Sequence, residues 1–164
     1  MDDLALTALV LATVTTGLAA GVFLLYAHTV MPGLRATDDR TFVLAFAAID
    51  RAIINPLFML TAFLGALVST VAAAALQWGE DAFGWTVAAL VLYLVVVGIT
   101  PTVHLPRNDA LKAAVAEGEP VAPGAVRAAF GEETWVRWNW VRVVLNLAAF
   151  VLLCCALVVA GAAR

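Results

Sequence analysis

Uncharged apolar runs leave this chain very few folds. Leu4–Leu25 carries no charge, Leu57–Leu76 none, Phe83–Val103 none, and Val143–Ala163 none. About 20 consecutive apolar residues in a helix span the hydrocarbon of a bilayer, so each run is long enough to cross it. A soluble alternative fails on surface. Of 164 residues, 64% are hydrophobic and 13% charged, against roughly 45–50% and about 25% in soluble domains. A chain this short cannot cover a soluble surface with so few polar groups. The expectation is an all-α integral membrane four-helix bundle, a single domain over 1–164. Its spans are placed at about 4–30, 51–76, 83–104 and 138–162, with polar loops over 31–50 and 105–137.

The first run is not read as a cleaved leader. Met1-Asp2-Asp3 is acidic where a leader is basic, and the apolar stretch is longer than a leader's core. Pro32-Gly33 is expected to stop helix one, and Asp38 or Asp39 to cap the next. Phe42, Val43, Phe46, Ile49, Ile53 and Ile54 recur at helical spacing, with Asp50, Arg51 and Asn55 on the polar side. Pro56 then falls inside the pattern and is expected to kink it. Pro101 and Pro106 bracket His104, so the backbone there should depart from a plain α-helix and line a cavity. Cys154 and Cys155 are adjacent in an apolar run and read as packing residues. Net charge is −3 with no basic block, which speaks against a nucleic-acid partner.

Eight of the nine basic residues flank the two polar regions: Arg35, Arg40, Arg51, Arg107, Lys112, Arg127, Arg137 and Arg142; the ninth is Arg164. The positive-inside rule then places those regions in the cytoplasm, in a cell (inner or plasma) membrane, with both termini outside. His28, Asp50, Asn55, His104, Asn108, Asn139 and Arg142 all come to the cytoplasmic end.

The densest chemistry is Thr134-Trp135-Val136-Arg137-Trp138-Asn139-Trp140-Val141-Arg142. In a helix Trp135, Trp138, Asn139, Arg142 and Asn146 share one face. That face is costly in lipid and should meet protein or a cavity. Trp135 and Trp138 are candidate walls of an aromatic pocket; Trp140, Trp78 and Trp85 are read as interfacial. Arg142 and Asn139 are candidate holders of an oxyanion. The competing reading is a structural ion pair of Arg142 with Asp50, with Glu132 and Glu133 as exposed alternatives. Arg137 and Arg127 are expected at the headgroups. His28, His104 and Asp50 could form a two-histidine, one-carboxylate metal set, for copper or iron, although their spacing matches no ligand motif; alternatively the histidines are hydrogen-bonding interfacial residues.

Several elements together resemble the anthrone oxygenase-like family, also known as DUF1772. They are Ala20-Gly21-Val22-Phe23, Val30-Met31-Pro32-Gly33-Leu34, Asp39-Arg40-Thr41-Phe42-Val43, and Ala48-Ile49-Asp50-Arg51-Ala52-Ile53-Ile54-Asn55-Pro56. Leu105-Pro106-Arg107-Asn108-Asp109-Ala110-Leu111 and Trp135-Val136-Arg137-Trp138-Asn139-Trp140-Val141-Arg142 follow in order. The resemblance implies a small four-helix membrane protein. It also implies oxidation of anthrones to anthraquinones by O2, with no added cofactor. Trp138, Asn139 and Arg142 match the family's Trp-Asn…Arg element, and Asn108 its Pro-x-Asn element. Family members often carry a small residue at His28, Asn at Asp50 and Asn at His104. Those departures favour the metal alternative.

The expected activity is therefore a membrane oxygenase or oxidase acting with O2 on an apolar aromatic substrate, anthrone- or phenol-like, entering from lipid. His28 or His104 would be the base, with Asn139 and Arg142 as the oxyanion clamp. Tyr26, Asn55, Asn108, Trp135 and Trp138 would line the substrate site. Two rivals come from other classes. One is a non-catalytic lipid-binding or complex-assembly protein with an ion-pair lock. The other is a transporter or channel protomer in a homo-oligomer, which polar groups confined to one end disfavour.

Overall fold

A computed structural model describes residues 2–116 and 122–162. Among them there is no strand; the chain is an all-α membrane bundle. We number its helices α1 Asp3–Arg35, α2 Asp39–Ile53, α3 Pro56–Leu76, α4 Phe83–Ala114, α5 Pro123–Phe130 and α6 Glu132–Ala162. The four long apolar helices that could cross a membrane are α1, α3, α4 and the α5–α6 arm. The loop expected over 118–124 lies partly outside the described residues, as does Arg164.

Helix α1 packs along α3 and α6, and α4 along α6. Lipid offers no hydrophobic drive between helices, so close approach relies on small residues and polar pairs. Ala12, Ala19, Ala66, Ala73, Ala89, Ala149 and Ala156 supply the buried seams. Thr15 Oγ1 and Ser69 Oγ pair across α1 and α3 at 2.9 Å. Gly17 leaves room for the Phe150 ring, which a Cβ there would meet at 2.9 Å. Leu11, Val14, Val68 and Val158 face outward, as lipid-facing residues should.

Three helices contain a π turn: Tyr26–Val30 in α1, Met59–Phe63 in α3 and Thr100–His104 in α4. In α1 the cause is Pro32. It has no N–H, and its ring crowds the carbonyl four residues back. One extra residue in the turn, with Met31 N–H bonded to Tyr26 O, accommodates both. The helix therefore runs on to Arg35, and Pro32-Gly33 does not stop it. Pro106 stands in the same relation to the turn in α4, where Leu105 N–H bonds to Thr100 O. This helix continues to Ala114, well into the stretch expected as loop. In α3 glycine makes the turn fit: a Cβ on Gly65 would lie 1.9 Å from Leu60 O.

Helix two is not one kinked span. Ile53 ends α2, and Asn55 adopts an extended conformation (φ −129°, ψ 159°) and caps α3. The residue before a proline is pushed out of the α region, and the Asn55 side chain accepts from Phe58 N–H at 3.0 Å. The second apolar span thus starts at Pro56 rather than 51, and α2 is a separate amphipathic helix. Asp38 caps α2, accepting from Thr41 N–H at 3.0 Å and Thr41 Oγ1–H at 2.6 Å. Those two donors hold its carboxyl below the usual carboxylate range. Gly131 (φ 67°) turns the chain between α5 and α6.

The polar end is tied by Arg127. It donates to Thr37 O, Arg35 O, Asp39 and Glu132, and lies over the Phe42 ring at 4.3 Å. Arg127, expected at the headgroups, is thus held by protein groups of three segments. Arg35 pairs with Glu132 at 2.6 Å. Beneath this network Phe42 stacks on Phe46 and meets Phe130 edge to face, and Phe46 meets Trp135 edge to face, joining Trp135 to the α2 core.

Candidate functional site

All three π turns open onto one cavity of about 300 Å³ near the polar end of the bundle. Tyr26, Met59, Phe63, Thr100 and His104 come from those turns. π turns shift the side-chain register and are frequent at functional sites. Ile53, Ile54, Phe58 and Leu105 extend the apolar wall. Ile54 and Leu105 also lie on the outer surface, at 55% and 37% exposure, so the wall is apolar where it reaches the outside.

The polar groups on the wall are few. Tyr26, Asp50, Thr100, His104, Asn108 and Arg142 carry them, beside the Trp135 ring. Asp50, on α2, is fixed from α4: Asn108 Nδ2 donates to Asp50 Oδ1 at 2.7 Å, and Lys112 Nζ lies 2.8 Å from Asp50 Oδ2. Asn108 Oδ1 in turn accepts from Trp135 Nε1 at 2.9 Å. His104 is 1% exposed. Its ring meets Trp135 edge to face at 4.9 Å, and neither ring nitrogen has a hydrogen-bond partner.

Arg142 is 6% exposed and lies in no ion pair among the described residues. Nη2 donates to Asn139 Oδ1 at 2.8 Å and Nη1 to Thr100 Oγ1 at 3.3 Å, while Nε is unpartnered. The guanidinium sits over the Phe23 ring at 4.5 Å and 5.8 Å from the Trp135 ring centre. The expected pair with Asp50 does not form, because Lys112 has taken that carboxylate. The sequence reading counts Lys112 only among the basic residues of the polar region 105–137, whereas α4 carries it on to face Asp50 on α2.

Other expectations move as well. His28 is exposed and its Nδ1 pairs with the neighbouring Thr29 hydroxyl at 2.6 Å; it does not line the cavity. Tyr26 and His28 stand two residues apart on one helix and so face opposite ways, Tyr26 inward and His28 outward. His28, Asp50 and His104 are thus not gathered, and among the described residues no three His, Cys, Asp or Glu side chains form a group able to hold a metal. The donor set for copper or iron does not fit. Asn55 is a helix cap, donating to Ala52 O and accepting from Phe58 N–H, and is not on the cavity wall. Trp138 is half-buried and also off that wall. Asn139 is fully buried behind Arg142, with Nδ2 on Phe23 O at 3.1 Å; it orients the guanidinium and does not reach the cavity itself. A wider surface groove of about 400 Å³ beside Arg127 and Thr134 is edged by the ion pairs described above.

Comparison with known proteins decides the lineage. The sequence profile of the anthrone oxygenase family matches residues 46–152. The chain belongs to the anthrone oxygenase family. The matched segment contains Asp50, Thr100, His104, Asn108, Trp135 and Arg142, so all the polar groups of the cavity wall but Tyr26 lie within the family region. Tyr26 and the first π turn precede it. No curated protein and no solved structure matches the chain.

Proposed function

We propose that this member of the anthrone oxygenase family is a membrane-embedded oxygenase. Its substrate would be an apolar aromatic ketone with an acidic C–H, taken from lipid through the mouth at Ile54 and Leu105. One observation carries the reading: Arg142 is a buried cation with no acidic partner among the described residues, on the wall of an otherwise apolar cavity. A buried charge without a counter-ion is costly. A substrate oxyanion would supply the counter-charge at the moment it forms, which is how preorganised electrostatics speeds a reaction.

His104 is the base in this reading, because its ring nitrogens are free and it shares the cavity with Arg142. It takes a proton from the ring CH2 of an anthrone-type substrate, and the electron pair moves onto the ketone oxygen beside Arg142. Trp135 and Phe23 offer ring faces. The enolate then gives its electrons to O2, forming a C–O bond and a hydroperoxide. Loss of water turns that carbon into a carbonyl. One oxygen atom of O2 ends in the quinone, and the other leaves as water with the two hydrogens of the CH2. The Lys and Arg bias supports a cytoplasmic setting for this cavity.

The test is oxygen uptake by the purified detergent-solubilised protein with anthrone. One O2 per quinone formed, abolished in Arg142→Gln and His104→Gln that still fold, is the expected result. No enzyme-dependent quinone above the spontaneous rate would overturn the reading.

A further inference from the structure

The stripe that begins at Trp135 does not end at Arg142. One turn further along α6, Asn146 is fully buried, and neither its Oδ1 nor its Nδ2 has a hydrogen-bond partner. Across the seam on α1, Thr16 is equally buried, and its Oγ1 has no partner. This is not how threonine usually behaves here. Thr7, Thr13, Thr15, Thr61 and Thr70 each donate to the carbonyl four residues back, whereas Thr16 does not.

The two orphans lie at one level. Asn139 on α6 donates to Phe23 O on α1, and Phe150 packs at Gly17, so the helices run antiparallel. Seven residues, two turns, lead from Phe23 back to Thr16 and from Asn139 on to Asn146. Both steps go the same way along the bundle and return to nearly the same face. Ala12, Ala19 and Ala149, all fully buried, stand three or four residues from them, so the neighbouring helix positions carry only small side chains.

We propose that Thr16 and Asn146 form a buried binding site for a water molecule between α1 and α6, deeper in the bundle than the Arg142 cavity. The ligand class follows from the donors and acceptors. A hydroxyl and a carboxamide have neutral polar atoms of both kinds, three in all, and an internal water typically makes about three hydrogen bonds. An ion would find no charge here, and an apolar guest would leave the amide unsatisfied. The site stands independently of the oxygenase reading.

The experiment is a crystal structure of the full chain in a lipid mesophase, at a resolution that shows waters, for the wild type and for Asn146→Leu. The expected result is one ordered peak within hydrogen-bond distance of Thr16 Oγ1 and the Asn146 amide, with Thr16 turned back to its own helix carbonyl in the variant. A direct Thr16–Asn146 hydrogen bond, or no peak, overturns it. In detergent, the thermal midpoints of Thr16→Val, Asn146→Leu and the double variant give a second readout. A shared site makes the double shift smaller than the sum of the single shifts; additive shifts overturn the proposal.

Discussion

The indole N–H of Trp135 donates to Asn108 Oδ1 at 2.9 Å, and the same Asn108 donates to Asp50 Oδ1 at 2.7 Å. One amide therefore joins α6 to α2 through α4, in the wall of the cavity. Trp135→Phe keeps the ring but removes the donor. A buried acceptor left unpaired costs about 1–3 kcal/mol. The thermal midpoint in detergent should fall, and turnover should drop with it as Asp50 loses its fixed orientation.

Arg142→Lys should fail to rescue what Arg142→Gln loses. The guanidinium reaches Asn139 and Thr100 with separate nitrogens, and one ammonium cannot reproduce that fork. Removing an oxyanion donor costs about 10²- to 10³-fold in turnover. Steady-state rates of both variants, each compared with its thermal midpoint, separate lost catalysis from lost fold.

The two histidines should part company. His104 lines the cavity and His28 is exposed beside Thr29. His104→Gln should lower quinone formation by about 10²- to 10⁴-fold, the range for a general base, while His28→Ala should leave it within about twofold, as is usual for exposed substitutions. Equal losses in both variants would overturn the assignment of the base.

Gly65→Ala should be among the most damaging small substitutions. Its Cβ would sit 1.9 Å from Leu60 O, so the π turn holding Met59 and Phe63 in the wall must rearrange. Loss of folded protein, or a lower midpoint with a changed cavity, is the expected outcome by size-exclusion and thermal unfolding. Gly21→Ala, where a Cβ meets nothing within 4 Å, is the control.

Asp38 sets a pH dependence at the start of α2. Its carboxyl is held low by the Thr41 donors, so its folded value lies below its unfolded one. The stability it adds is present above the unfolded value and lost as pH falls through the folded value. The thermal midpoint of wild type should therefore fall with acidification more than that of Asp38→Asn, in a titration from neutral pH to below the carboxylate range.

Some of this was legible in residue order alone. Four runs of uncharged apolar residues determine a membrane-spanning helical bundle, because lipid admits few other backbones. The cluster around Trp135 and Arg142, the prolines beside His104, and the cap at Asp38 are likewise written locally. A proline's missing N–H and a capping side chain act within one turn. What only the tertiary structure decided is which polar groups meet. A π turn is one added residue, invisible in periodicity, yet three of them bring Tyr26, Met59, Phe63, Thr100 and His104 to one cavity wall. Lys112 reaches Asp50 because α4 continues past His104, which leaves Arg142 without an acid. The physical reason is reach. Solvation by lipid acts on each segment separately, whereas the counter-charge of a buried cation depends on helices far apart in sequence arriving at one level.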